Sequence, residues 1–194
     1  MNSDHSYLAL RPIEAAPDLL IHPTADPRLT SEHWLLATLP APSRDRARLE
    51  WDQHHVTLLP LGTLFSAVRI PDRLLVALTG ITEGPELDQF LRETLDGGPV
   101  ICDPRFGRYY ALVPASMPRT WQHQALDAWR AMDVELLGLG SYLGVPQVDA
   151  VKCSPARASY WAVPMNSAAT LCSPSVVARL IAAGRRSTDP EVEQ

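Results

Sequence analysis

Between residues 51 and 184 the apolar positions switch repeatedly between a two-residue and a 3.6-residue period, which predicts alternating strands and helices. His55–Leu61 (HVTLLPL) and Leu64–Ile70 (LFSAVRI) read as strands, and Gly62 with Thr63 between them predicts an antiparallel hairpin. Pro71 starts a helix through Leu78. Pro85 sits at the first position of a second helix, with Leu87, Phe90, Leu91 and Leu95 on one face before Gly97 and Gly98 end it. Pro99–Cys102 (PVIC) and Tyr109–Val113 (YYALV) bracket the polar turn DPRFGR and predict a second hairpin. A helix over Thr120–Met132 carries Trp121, Leu126 and Trp129. Short strands follow at Val134–Leu137, Ser141–Val145 and Tyr160–Val163. The last helix is capped by Ser173, takes Pro174 at its first position and buries Val176, Val177, Leu180 and Ile181.

Hairpins interleaved with helices favour an α+β fold with a mixed, largely antiparallel sheet and flanking helices over a doubly wound parallel sheet. The ends differ from this centre. Pro12, Pro17, Pro23, Pro27, Pro40 and Pro42 interrupt residues 1–50, predicting a proline-rich arm with one short helix at Thr30–Leu39, capped by Thr30 or Ser31. Gly184 and the polar run after it read as a helix stop and a disordered tail over 185–194, leaving a single domain at 51–184.

The 194 residues suit one domain, and no apolar run approaches the ~18 residues of a membrane span. With no basic n-region and apolar h-region at the start, a cytoplasmic location is expected. A net charge of -5 argues against a broadly basic nucleic-acid surface but leaves room for a local basic cleft. Cys102, Cys153 and Cys172 match neither a disulfide framework nor a metal knuckle, so reduced, mostly buried thiols are expected. Neither GxGxxG nor GxxxxGK[ST] occurs.

Leu59–Pro71 (LPLGTLFSAVRIP), Gly98–Val113 (GPVICDPRFGRYYALV) and the late segments SYLGVP and SYWAVP together resemble the N-terminal domain of bifunctional DNA primase/polymerases, the Prim-Pol-like branch of the archaeo-eukaryotic primase superfamily. The resemblance covers residues 51–184 and implies a primase/polymerase-like fold. It also implies a strand of carboxylates holding two divalent metals and a catalytic histidine on the second hairpin. This chain departs from that pattern where the chemistry lies. Ser66 and Arg69 stand on the strand matched to the metal ligands, and Tyr109 or Tyr110 stands where the histidine is expected. A hydroxyl is a weak neutral ligand and an arginine repels a cation, so metal-dependent nucleotidyl transfer is not expected. No cofactor is expected; Mg²⁺ or Mn²⁺ enters only if an enzymatic alternative holds.

What remains is a cationic and aromatic set, Ser66, Arg69, Arg105, Arg108, Tyr109, Lys152, Arg157 and Tyr160, with Trp161 beside it. Arginines hold phosphate bidentately and aromatic faces stack on bases, so a catalytically degenerate binding domain, its ligand a nucleotide, a nucleic-acid end or a protein partner, is the leading expectation. In the alternative, structural reading these arginines pair with Asp103, Glu135 and Asp149 while Tyr160 and Trp161 fill the core. Two other functions stay open: an enzyme with divergent chemistry in the same pocket, and a protein-interaction module using residues 1–50. His54 with His55 reads as an edge pair rather than a metal site, and Cys102 with His123 as an unremarkable pairing rather than a nucleophilic dyad.

Overall fold

The computed structural model describes residues 26–82, 84–120 and 123–188. The chain runs α1 (Pro27–Leu36), α2 (Ala41–His54), β1 (Val56–Pro60), β2 (Phe65–Pro71), α3 (Asp72–Thr79), α4 (Pro85–Thr94), β3 (Val100–Asp103), β4 (Arg108–Pro114), α5 (Met117–Thr120), α6 (His123–Ala131), β5 (Glu135–Leu137), β6 (Tyr142–Pro146), β7 (Tyr160–Val163) and α7 (Pro174–Thr188). It is an α+β fold. The centre is a five-stranded sheet in the order β5-β2-β4-β3-β7, and every strand pair among the described residues is antiparallel. None of the described helices is long and apolar enough to cross a membrane.

Strand alternation divides the interior into two cores. Val68, Ile70, Cys102, Tyr109 and Ala111 point to one face, where they meet Leu74 and Leu75 of α3, Leu87 and Leu91 of α4 and Val177, Leu180 and Ile181 of α7. Phe65, Ala67, Ile101, Leu112 and Trp161 point to the other, where they meet Leu35 and Leu36 of α1, Trp51 of α2 and Leu59 and Val145 of a separate β1–β6 ribbon. The interior strand β2, between β5 and β4, is therefore largely apolar on both sides, which explains its near-continuous hydrophobic reading.

Residues 26–54 depart furthest from the expected extended arm. Asp26, not Thr30 or Ser31, caps α1 by accepting from the Arg28 N–H, and Pro27 sits in the first turn. Pro40 is the N-cap of α2 and Pro42 lies in its first turn, where a missing N–H costs nothing. The prolines read as breakers thus mark helix starts. The inward face of α2 is only Ala47 and Trp51, one helical turn apart, and it is fixed by the Trp51 indole N–H donating to the Val145 carbonyl at 2.8 Å. Trp34 of α1 stacks on Phe65 with ring centroids 5.6 Å apart. The domain therefore begins well before residue 51. Residues 1–25 of the expected arm, 189–194 of the expected tail, and Trp121 lie outside the described residues.

Two strand pairings are also corrected. β1 does not form a hairpin with β2; it pairs with β6, Val56 facing Pro146 through to Pro60 facing Tyr142, while β2 pairs with β4 and β5. The link at residues 61–64 turns the chain from one layer to the other. Gly62 makes this possible at φ 89, where a Cβ would lie 2.5 Å from the Leu139 backbone nitrogen. The late segments likewise separate, β6 going to the ribbon and β7 to the sheet edge beside β3. At the other end Gly184 does not stop α7. It is buried within the helix, and a Cβ there would collide with the Leu74 side chain, so glycine serves the close approach of α7 to α3 and the helix continues to Thr188.

Candidate functional site

Register gathers most of the sequence-selected residues at one end of the five-stranded sheet. Arg69 faces Tyr110 and Glu135, Pro71 and Asp103 both face Arg108, and Cys102 faces Tyr160. The turn at 104–107 projects from this end with Phe106 76% exposed beside exposed Arg105. Lys152 is exposed in the segment leading into β7, and Arg157 is half-buried three residues before Tyr160.

The centre of the charged face is Asp133, which the sequence analysis did not single out. It follows α6 in the left-handed conformation at φ 61, held by hydrogen bonds from the Asp133 N–H to the Arg130 carbonyl and the Val134 N–H to the Trp129 carbonyl, both 2.9 Å. An aspartate just after a helix is the residue type that tolerates this backbone, and that was the available signal. Its carboxylate accepts from Arg108 and lies 3.5 Å from Arg69 and 3.8 Å from Arg73. Arg69 also pairs with Glu135 at 2.9 Å. The hydrogen bond from Arg108, followed by the charges of Arg69 and Arg73, holds the Asp133 carboxyl below its usual range and raises Arg108 in turn. Tyr110 lies among these groups: burial and the Asp103 charge raise its hydroxyl, and Arg69 and Arg108 oppose them. Of the two tyrosines weighed in the sequence, Tyr110 is thus the one beside the arginines.

Tyr109 points the opposite way, into a largely buried cluster with Cys102, Tyr160 and half-buried Asp88. The Tyr160 hydroxyl donates to Asp88 Oδ1 at 3.2 Å, tying β7 to α4. Desolvation pushes the Asp88 carboxyl up to about 6 against the opposing Tyr160 hydrogen bond, and pushes the Cys102 thiol up to about 12. Both tyrosine hydroxyls are raised by the same burial. A thiol held so far from thiolate is a poor nucleophile.

Ser66 is completely buried on the helical side of β2, near Gly138, and its Oγ has no hydrogen-bond partner among the described residues. It does not share a face with Arg69. Trp161 is buried with its indole N–H donating to the Gln147 carbonyl at 3.0 Å. His55 ends α2 in the left-handed conformation with Nδ1 3.2 Å from the Gln147 amide oxygen, and His54 belongs to the last helical turn, so neither begins the strand. Among the described residues no three His, Cys, Asp or Glu side chains are grouped to hold a metal. Among the described residues one hollow of about 320 Å³ lies at α3, α6 and α7 and another of about 230 Å³ between α2 and the segment after β6; neither is lined by the sequence-selected set.

Phe106 was legible as an apolar aromatic inside an otherwise polar turn. At the charged end Arg69, Arg73 and Arg108 share Asp133 and Glu135, with Asp72 near Arg108 and Arg105 exposed in the turn after Asp103. Chemically the arrangement offers fixed guanidinium donors and a stacking face. No protein-family model matches this chain, nor does any curated protein or solved structure.

Proposed function

We propose that this protein acts by binding rather than by catalysis, and that the charged end of its five-stranded sheet takes a phosphate-bearing aromatic ligand, a nucleotide or a nucleic-acid end. The observation that carries this reading is exposed Phe106 projecting beside exposed Arg105 from the turn next to the Arg69 and Arg108 guanidinium groups. The non-catalytic part is supported by residue chemistry: Ser66 is buried and neutral, and Arg69 places a fixed positive charge where the Prim-Pol-like resemblance, itself part of this proposal, expects metal-binding carboxylates. Fluorescence anisotropy with a 5′-phosphorylated, labelled oligonucleotide at low salt tests it. Phe106→Ala and Arg105→Ala should each weaken binding by roughly tenfold, and affinity should fall as salt rises. Equal affinity in both variants, or no binding of the oligonucleotide or of ATP, would overturn it.

A second reading, association with a protein, is favoured by the outward face of the β1–β6 ribbon, where Leu58 and Tyr142 are 63% and 65% exposed and Leu139 in the adjoining loop is 85% exposed. Residues 26–50, part of the segment 1–50 on which the protein-interaction alternative rests, place Leu35, Leu36 and Ala47 in the protein's own core and leave Leu29 and Leu49 exposed.

A further inference from the structure

The geometry points to a second binding site: we propose that the hollow at α3, α6 and α7 takes a small amphiphilic anion, a carboxylate or phosphate monoester on a short aliphatic chain. Its volume of about 320 Å³ falls in the range of small-molecule sites. Leu74, Ala128, Ala131 and Met132 line it, and short alanine side chains facing a hollow leave apolar space that larger residues would fill. Arg73 and Arg185 reach it from two different helices.

The position of Arg185 follows from sequence. Gly184 has no Cβ, so α7 packs directly on Leu74, and the turn that follows brings Arg185 and Thr188 to the rim. Among the described residues Arg185 has no carboxylate within ion-pair distance. Arg73 is 64% exposed and makes only a 3.3 Å hydrogen bond to the Met132 carbonyl and the long contact with Asp133, so several of its five donors remain for a ligand. Two guanidinium groups above an apolar floor match one anionic head and one short tail. This site does not rest on the oligonucleotide reading: Arg185, Ala128 and Ala131 take no part in the charged sheet end.

The full chain with ¹³C-labelled methionine methyl groups, Met132 assigned through Met132→Leu, is titrated with octanoate, octyl phosphate, octanol and acetate. Octanoate or octyl phosphate should shift the Met132 methyl resonance saturably, the stronger of the two fixing the head group, whereas octanol and acetate at equal concentration should not. Arg185→Ala should weaken the effect about tenfold. Ala131→Phe, at a solvent-exposed position on the rim, should fill the hollow and abolish the shift without lowering the thermal midpoint. A Met132 shift absent with both amphiphiles, equal with octanol, or unchanged in Arg185→Ala overturns the proposal, and the Arg185 result decides should Ala131→Phe unfold.

Discussion

The two faces of the β3–β4 hairpin set one residue apart two opposite treatments of polar groups. Arg108 and Tyr110 look toward the open face, where Asp133 stays ionised and is held below its usual range by arginines. Tyr109, between them, looks into the helical face, where Asp88, Cys102, Tyr109 and Tyr160 are all pushed toward their neutral forms by burial. The cause is not residue type, since an aspartate and a tyrosine occur on each side. It is whether helices cover the face: α3, α4 and α7 pack over Tyr109, while α1, α2 and the ribbon cover the Phe65 and Leu112 end of the other face and stop short of Arg69. Desolvation dominates on one side and ion pairing on the other.

The sharpest way to break this contrast is to truncate the two neighbouring tyrosines. Tyr109→Ala removes a buried aromatic ring and leaves Cys102 and Tyr160 around a void, so urea unfolding should show a loss of about 3 to 5 kcal/mol. Tyr110→Ala, on the partly open face, should cost about 1 kcal/mol. Equal losses would show that the charged face is as closed as the helical one.

A pH series separates the faces by sign. The Asp88 carboxyl, raised to about 6 in the fold, keeps its proton while the unfolded chain, titrating near about 3.9, has lost it. Its contribution is therefore favourable below about pH 4 and is lost as pH rises through 6, by about 1 kcal/mol once solvent screening of this half-buried group is allowed for. Asp133 is lowered, so its contribution is present above about pH 3.9 and disappears as the solution is acidified through its depressed value. Stability curves between pH 3 and 7 should flatten between pH 4 and 6 in Asp88→Asn and lose only their acid limb in Asp133→Asn. An Asp88→Asn curve superimposable on that of the parent would place Asp88 in solvent.

The same distinction explains what could be seen in the sequence. Strands β3, β4 and β7 and helices α4 and α7 were legible because each buries a continuous stripe or run, and the α+β class followed from their order. Helix α2 was not, because two inward residues in a chain of Arg, Asp and Glu leave almost no period to detect, and its helix is supported by Arg46–Glu50 and Arg48–Glu32 pairs that only a fold reveals. The β1–β6 pairing was hidden for another reason: Gly62 with Thr63 is good hairpin chemistry, and only the Leu139 backbone pressed against Gly62 shows why the chain turns elsewhere. At the site, alternation told which of Tyr109 and Tyr110 share a face but not which face is open. Asp133, directly flanked by Met132 and Val134, carried no spacing that marks it as the hub of three arginines.

The smallest effect tests the charged face most directly. A double-mutant cycle on Arg108 and Asp133 should give a coupling of about 1 kcal/mol or less, because both side chains remain roughly a quarter to a third exposed and water screens the pair. Raising salt to molar levels should remove most of that coupling. The cycle on Tyr160 and Asp88 should respond less to salt, because Tyr160 is uncharged and its part-buried hydrogen bond lies behind the sheet against α4. A salt-independent coupling of several kcal/mol at Arg108 would mean that the face is covered in solution. In that case the arginines would be fixed parts of an interior, and the guanidinium donors on which oligonucleotide binding depends would not be available to a ligand. Salt-sensitive, weak coupling leaves the guanidinium groups able to exchange Asp133 for a phosphate, which is the property the binding proposal requires.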